Sequence, residues 1–177
     1  MPVTDVAERV PSLKDRVRAA RARLLLSLVS GFGGFLVIYA LGQLSSSMHV
    51  ALLIAPFGAS CVLVFALPHS SLAQPKNVIA GHLVSATAGL TVASLLGHGP
   101  LALGLGVGLA IAAMQFTDTL HPPAGADPIV ILAAGASWGF LVLPTLAGCV
   151  AITAAGWSYH RWISGRGYPL RGKATRR

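Results

Sequence analysis

Charged residues are almost absent from the central part of this chain. Between Leu24 and His160 the only Asp, Glu, Lys or Arg residues are Lys76, Asp118 and Asp127. Over the whole chain, 54% of residues are hydrophobic and 10% are charged, whereas typical soluble domains carry about 25% charged residues. This composition excludes an ordinary soluble domain and predicts an integral membrane protein.

The positive charges are concentrated at the two ends. Six of the thirteen Lys and Arg residues lie within residues 9–23 and six more within residues 161–177. Because basic segments that flank membrane spans face the cytoplasm, we expect both termini to be cytoplasmic, with an even number of crossings of the cell inner membrane. No aromatic-interleaved basic patch accompanies the tails, so nucleic acid is not an expected partner. The predicted division is a basic arm (1–23), a transmembrane domain (24–160) and a basic tail (161–177).

Apolar runs divide the central domain into segments of roughly membrane-spanning length. A span needs about 20 residues, and the last run, Pro128–His160, is too long for one, so it is interpreted as two segments that meet near Trp138–Pro144. The aromatic residues Trp157, Tyr159 and Trp162 then predict an interfacial belt. The other predicted segments are Leu24–Leu44, His49–Leu67, Val78–Leu96 and Leu101–Thr117.

Two of these segments are interrupted by helix-breaking residues. The first break is Ala-Pro-Phe-Gly-Ala-Ser at 55–60, and the second is His-Pro-Pro-Ala-Gly-Ala-Asp-Pro at 121–128. In hydrocarbon, irregular backbone survives only where it packs inside protein or lines a wet cavity. The breaks are therefore candidate functional sites.

The two breaks belong to an internal repeat. A shift of 67 positions aligns Pro56-Phe57-Gly58-Ala59 with Pro123-Ala124-Gly125-Ala126, and further Ala-Gly pairs coincide in the same register. With three crossings per repeat, the chain has six segments, inverted halves and Lys76 on the cytoplasmic side, which is the preferred arrangement. The alternative makes 49–67 and 121–139 re-entrant, leaving four spans and an external Lys76. The predicted fold is an all-α polytopic bundle of four to six transmembrane segments with an internal duplication.

Each break is expected to start a helix, since proline is favoured in the first helical turn. Free N–H groups and the helix dipole at such a start suit a small monovalent anion. The alternative is that the breaks are kinks satisfied by neighbouring helices. The candidate binding or pore residues are Pro56, Gly58, Ala59, Ser60, His82, Asp118, His121, Pro122, Pro123, Gly125 and Asp127.

Ionisable residues near the second break suggest proton transfer. Asp118 and His121 are interpreted as a carboxylate–imidazole relay, whereas Asp127 before Pro128 is typical of a helix N-cap. His82 is either a pore-facing group or a packed histidine. No metal site, cofactor or catalytic residue is expected, because neither metal-ligand spacing nor a nucleotide or hydrolase motif occurs.

Three motifs in order, at 55–60, 72–82 and 121–126, resemble the HPP family of integral membrane proteins, which is named for the last of them. The resemblance covers roughly residues 24–160 and implies about four transmembrane segments. Cyanobacterial and chloroplast relatives are associated with nitrite transport, so the resemblance implies a small-anion permease with nitrite as first candidate. The middle motif supplies the residues assigned to structure, which are Gln74, Pro75, Asn77 and Gly81.

The resulting prediction is a multi-pass membrane transporter or channel that moves a small monovalent anion and is not an enzyme. Its expected partners are the lipid bilayer, the anion and further copies of the chain, since six short segments barely enclose a pore alone. The alternative function is a non-transporting membrane scaffold or accessory subunit.

Overall fold

The computed structural model describes residues 12–49 and 51–170, and every regular element in these ranges is helical, which confirms the all-α class. The elements are α1 (Leu13–Met48), α2 (Pro56–Cys61, continued by a π-helical turn at Val62–Ala66), a 3-10 turn at Ser71–Ala73, α3 (Pro75–Leu96), α4 (Pro100–Phe116), a 3-10 turn at Pro122–Ala126, α5 (Asp127–Ala134) and α6 (Ala147–Tyr159, preceded by turns at Trp138–Leu141 and Val142–Leu146 and followed by a π-helical turn at His160–Ser164). The outermost parts of the predicted basic arm and tail, 1–11 and 171–177, lie outside the described residues.

Helix α1 begins earlier than the predicted first span. Ser12 and Asp15 form a capping box, in which each side chain accepts a hydrogen bond from the backbone N–H of the other residue. From there the helix runs unbroken to Met48, through the predicted boundary between arm and membrane domain. Its 36 residues measure about 54 Å, which exceeds the roughly 30 Å of the hydrocarbon layer. The basic first turns of α1 therefore extend beyond the apolar part of the same helix.

Proline lies in the first turn of α2, α3, α4 and α5. α2, α3 and α4 begin at Pro56, Pro75 and Pro100, and Pro128 is the second residue of α5. Proline fits these positions because the first turn needs no backbone N–H. Both predicted breaks are thus helix starts.

The run 128–160 is divided as predicted, but the division lies slightly earlier. α5 ends at Ala134 and is followed by Gly135, whose φ of 59° is left-handed, and the next helical turn begins at Trp138. A second irregularity follows at Leu143, which is non-helical because it precedes Pro144.

Contacts between residues at the ends of helices define one end of the bundle, which we name the Tyr168 end. The Tyr168 hydroxyl, beyond α6, donates to the Ala73 carbonyl just before α3. Lys76 Nζ, in the first turn of α3, lies 3.0 Å from the Asp118 carboxylate just after α4. The start of α3 and the ends of α4 and α6 therefore lie together.

The opposite end is named the His98 end. His98, in the α3–α4 loop, bonds through Nδ1 to the Leu132 carbonyl at the end of α5. α1 is antiparallel to α6, and the Ser30 side chain of α1 contacts Tyr159 near the end of α6. The last turns of α1 contact the segment that follows it, where the Leu52 amide donates to the Ser45 hydroxyl.

Six segments thus alternate in direction: α1, the broken segment ending in α2, α3, α4, the broken segment ending in α5, and α6. The halves α1–α2–α3 and α4–α5–α6 have the same three-part design with opposite sense, and the described chain starts and finishes at the Tyr168 end together with Lys76. The path of the chain therefore has the directions of the six-segment arrangement, and which segments cross the membrane stays a prediction.

Each half packs chiefly against the other. α3 packs against α4 and α5, whereas α6 packs against α1 and α2. Glycines permit the close approach: a Cβ on Gly89 would lie 2.8 Å from Pro128 Cα, and a Cβ on Gly156, its equivalent in the repeat, would overlap Val64 Cγ1. Correspondingly, each of the two hydrophobic core clusters contains residues from both halves.

Among the described residues, three helices are long and apolar enough to cross a membrane, namely Leu13–Met48, Pro75–Leu96 and Trp138–Ser164, and two shorter apolar helices lie at Pro56–Ala66 and Pro100–Phe116. The protein is therefore a helical membrane bundle.

The predicted aromatic belt is only partly present. Trp157 and Trp162 are exposed, but Tyr159 is buried, with its ring edge against Phe65. Helical periodicity explains the difference, because Tyr159 faces α1 whereas Trp157 and Trp162 face outward. The adjacent His160 is also buried, and its Nε2 bonds to the Val64 carbonyl.

Candidate functional site

Four buried polar side chains form a continuous hydrogen-bonded network in the interior of the bundle. Ser60 Oγ lies 2.9 Å from His82 Nε2 and 2.9 Å from His121 Nε2. His82 Nδ1 lies 2.7 Å from Asp127 Oδ2. All four side chains are 0% exposed. We name this set, Ser60, His82, His121 and Asp127, the polar network.

The fold brings each member from a different element. Ser60 lies in α2, His82 in the second turn of α3, His121 in the loop before the 3-10 turn, and Asp127 at the first residue of α5. The network therefore lies where the two broken segments meet. It also joins the halves, because His82 of the first half bonds to Asp127 of the second.

Gly81 makes this meeting possible. A Cβ at this position would lie 2.7 Å from the Thr119 carbonyl oxygen and 2.8 Å from His121 Cβ. Only glycine lets the His121 loop approach α3 this closely. Its equivalent in the repeat, Gly148 on α6, likewise faces the first break, where a Cβ would overlap the Phe57 ring.

The ends of the network are held by backbone and aromatic groups. His121 Nδ1 lies 2.8 Å from the Leu72 carbonyl oxygen, which can only accept, so this nitrogen carries a proton. The Phe57 ring meets His82 edge-on at 5.5 Å, and the two imidazole rings lie 5.0 Å apart. The orientations of both histidines are therefore fixed.

Asp127 does not cap α5. Its side chain makes no capping hydrogen bond, and Oδ2 instead bonds to His82. Its other oxygen, Oδ1, is buried without a recorded hydrogen-bond partner, and the Cys149 thiol of α6 is close enough to interact with its charge. The N-cap interpretation of Asp127 was wrong, because the α5 start faces α3 instead of solvent.

Asp118 and His121 are not partners. Asp118 pairs with Lys76 at 3.0 Å, with side-chain exposures of 90% and 60% respectively, whereas His121 is fully buried. Asp118 has a left-handed φ of 54°, which turns the chain between α4 and the break. The structure does not pair Asp118 with His121 as expected; its buried carboxylate–imidazole pair is formed by Asp127 and His82.

The expected anion site at free helix amides is also absent from the first break. The amides of Phe57 and Gly58 already donate to the carbonyls of Ile54 and Ala55. Pro56 is buried, whereas Gly58 and Ala59 are exposed.

Gly58 lines an open groove of about 660 Å³ between α1 and α2, whose other lining residues include Ser30, Phe35, Phe65 and Arg166. This groove lies on the side of α2 away from the polar network.

The second break is similar. The Ala124 amide donates to the His121 carbonyl, and the Asp127 amide donates to the Ala124 carbonyl. Pro123 is buried, while Pro122 is exposed and Gly125 is half-buried. Side chains, and not free backbone amides, therefore supply the polar groups of this site.

Gln74 and Asn77 of the middle motif (72–82) hold the loops around the polar network through hydrogen bonds. Gln74 donates to the Pro68 and Ser70 carbonyls and accepts from the Leu170 amide. The Asn77 side chain donates to the Leu120 carbonyl, so it holds the His121 loop against α3 and does not cap its own helix. Within 12–49 and 51–170, no group of three His, Cys, Asp or Glu is arranged to hold a metal ion.

The comparisons with known proteins agree with this architecture. A family model described as "HPP, transmembrane region" matches residues 18–169. Two curated transmembrane proteins of Dictyostelium discoideum are similar: one is 34% identical over 166 residues (89% of this chain, 53% of the relative), and the other is 35% identical over 153 residues (80% and 53%). The chain thus spans about half the length of these relatives, and no solved structure matches it significantly. The chain belongs to the HPP family of transmembrane proteins.

Proposed function

We propose that this protein transports a small monovalent anion across the membrane by a proton-coupled mechanism, with the polar network as its working part. The observation that carries the proposal is the buried chain of contacts from Asp127 through His82 and Ser60 to His121. Ionisable groups at this depth are costly and mark ion pathways or proton relays in membrane proteins.

The position of the network in the fold supports the same function. Small transporters built from inverted repeats place their sites at the repeat interface, where discontinuous helices meet. Here two broken segments of opposite direction meet at the polar network. Nitrite is the first candidate cargo, and this choice rests on the family resemblance alone.

The proposal extends to location and assembly. Both described ends lie at the Tyr168 end. Because basic residues lie in the first turns of α1 and after α6, we propose that this end faces the cytoplasm and that the protein lies in the cell inner membrane. We propose a homo-oligomer because the apolar surface of α1 is largely exposed: only 17% of its most apolar stretch is buried inside the protein.

Hydrogen-bonded Ser, His and Asp side chains, such as Ser60, His82 and Asp127, also occur in the catalytic triads of hydrolases. Ser60 Oγ, however, is fully buried and is shared between two imidazoles. We therefore propose a relay and not a nucleophile. The protein should resist labelling by a fluorophosphonate, and stoichiometric labelling of Ser60 would favour an enzyme instead.

The transport proposal is tested in proteoliposomes with nitrite, nitrate, formate and chloride. His121→Ala should lower the initial uptake of the transported anion more than tenfold per folded molecule, whereas Asp118→Asn should leave it unchanged because Asp118 lies in an exposed ion pair. If none of the four anions moves faster than in protein-free liposomes, transport of these anions is rejected.

A membrane scaffold remains the second candidate because of the exposed face of α1. It would be favoured if the wild-type protein moves no anion and His121→Ala leaves its cellular phenotype unchanged.

A further inference from the structure

We propose that the polar network couples one proton to one anion: it holds four protons at zero net charge when empty and five when an anion is present. This inference rests on the proposed transport function and specifies its stoichiometry. The proton count follows from the donors and acceptors in the contacts among the four side chains and Leu72, and the anion is taken from the proposed transport function.

The empty state is fixed by the capacities of the four side chains. Ser60 has one hydroxyl proton, so it donates to one Nε2, and the other imidazole must donate its own Nε2 proton to Oγ. The contact between His82 Nδ1 and Asp127 Oδ2 needs one proton, since both atoms are acceptors when bare. With the proton on His121 Nδ1, the total is four.

Four protons make the polar network neutral. An ionised Asp127, two neutral imidazoles and the Ser60 hydroxyl carry three protons and a charge of −1, so the fourth brings the sum to zero. A buried net charge is costly, and burial therefore agrees with the count from geometry.

The same four protons fit two patterns. In the first, His82 Nε2 donates to Ser60 and Ser60 donates to His121, and the remaining proton is shared between Asp127 and His82. In the second, His121 donates to Ser60, Ser60 donates to His82, and His82 Nδ1 donates to an ionised Asp127. The change moves one proton from His82 Nε2 to Ser60 Oγ and the Ser60 proton to His121 Nε2. One positive charge is thereby transferred from the His82–Asp127 pair to His121.

A fifth proton is accommodated by the third contact of Ser60. The Ser60 hydroxyl lies 3.3 Å from the Pro56 carbonyl oxygen. When the hydroxyl turns to Pro56, both imidazoles can donate to Oγ, and all three contacts of this oxygen become hydrogen bonds. The polar network then carries a charge of +1.

A net charge of +1 in this buried place needs a counter-charge. A monovalent anion supplies it, so proton and anion are each favoured in the presence of the other. Asp127, His82 and His121 are the titratable members, and Cys149 on α6 is the further titratable group that interacts with Asp127. The result is electroneutral movement of one proton with one anion.

Proteoliposomes distinguish this inference from the transport proposal. Initial nitrite uptake, after subtraction of protein-free liposomes, should increase with an inward proton gradient and change less than about twofold under a potassium diffusion potential. For a carrier that moves one net charge, a potential of about 100 mV would instead change the equilibrium accumulation of nitrite about fiftyfold. Uptake that follows the potential and ignores the proton gradient overturns the coupling but leaves transport intact, whereas no uptake at all overturns transport.

Ser60 is tested as the relay between the imidazoles. Ser60→Ala should lower proton-driven nitrite uptake more than tenfold per folded molecule. Ser85→Ala is the matched control, because it removes an equally buried hydroxyl that donates only to the Ala124 carbonyl. Equal uptake by both variants contradicts the relay.

The proton count has its own test, which needs no transport. Histidine ¹⁵N NMR combined with infrared detection of the carboxyl should show, in the wild type without anion, either one imidazolium or a protonated Asp127. Two neutral imidazoles beside an ionised Asp127 would overturn the count. Asp127→Asn should fold, since its amide can donate to His82, and should fix two opposite neutral tautomers: Nε2–H on His82 and Nδ1–H on His121.

Discussion

Removing His82 while keeping its volume should destabilise the protein strongly. His82→Leu leaves neither Asp127 oxygen with a hydrogen bond, because Oδ1 has no recorded partner already and Oδ2 bonds to His82. Breaking a buried charged pair in this way costs about 3–5 kcal/mol, whereas the packing change from imidazole to a side chain of similar size costs less than about 1.5 kcal/mol. The electrostatic part should dominate.

The double variant His82→Leu/Asp127→Leu should recover most of the loss, since an apolar pair in place of a buried ionic one is neutral or stabilising. Ser60 and His121 still satisfy each other through their 2.9 Å contact. The free energy of unfolding can be measured by denaturant titration in mixed micelles with tryptophan fluorescence as readout. Ser85→Ala is the control and should cost about 1–3 kcal/mol.

The reasoning is refuted if the double variant is as unstable as His82→Leu alone. Packing around His82, and not its pairing with Asp127, would then determine the loss.

Three other predictions concern packing, topology and pH. Gly156→Leu should cost about 1–3 kcal/mol or more through overpacking against Val64, while Gly104→Leu, with open space around its Cβ, should leave the yield of monodisperse protein unchanged. In the variants Lys76→Cys and Arg166→Cys, the new thiols should react with a membrane-impermeant thiol reagent from the same side of the membrane. Reaction from opposite sides would contradict the six-segment arrangement. Burial raises the pKa of the Tyr168 phenol, so the unfolded state loses this proton before the folded state as pH rises through about 10. The free energy of unfolding should therefore decrease above that pH. Tyr168→Phe should make this decrease smaller in unfolding measurements at a series of pH values.

The architecture was largely accessible from the sequence because it depends on periodic and local features. The lack of charge between Leu24 and His160 indicates a membrane bundle, and proline can act only as a helix start at positions 56 and 123. The ungapped shift of 67 positions then indicates two halves of similar design.

The composition of the site was only partly accessible, because its contacts join residues far apart in the chain. Asp118 is nearer in sequence to His121, but Asp127 is the carboxylate in the polar network, since the left-handed turn at Asp118 directs that side chain to the surface. One signal could have identified Asp127: the repeat places it opposite Ser60, so the same buried position is polar in both halves.

The reciprocal packing of the halves has a consequence for how the protein can be assembled. α3 finds its main neighbours in α4 and α5, and α6 packs against α1, α2 and α3, so neither half encloses a core of its own. A chain divided in the short loop at 97–99 should give two fragments that are each degraded alone. Co-expressed, they should complement each other into a stable heterodimer, because the contacts of α3 with α4 and α5, and those of α6 with the first three helices, all cross the cut.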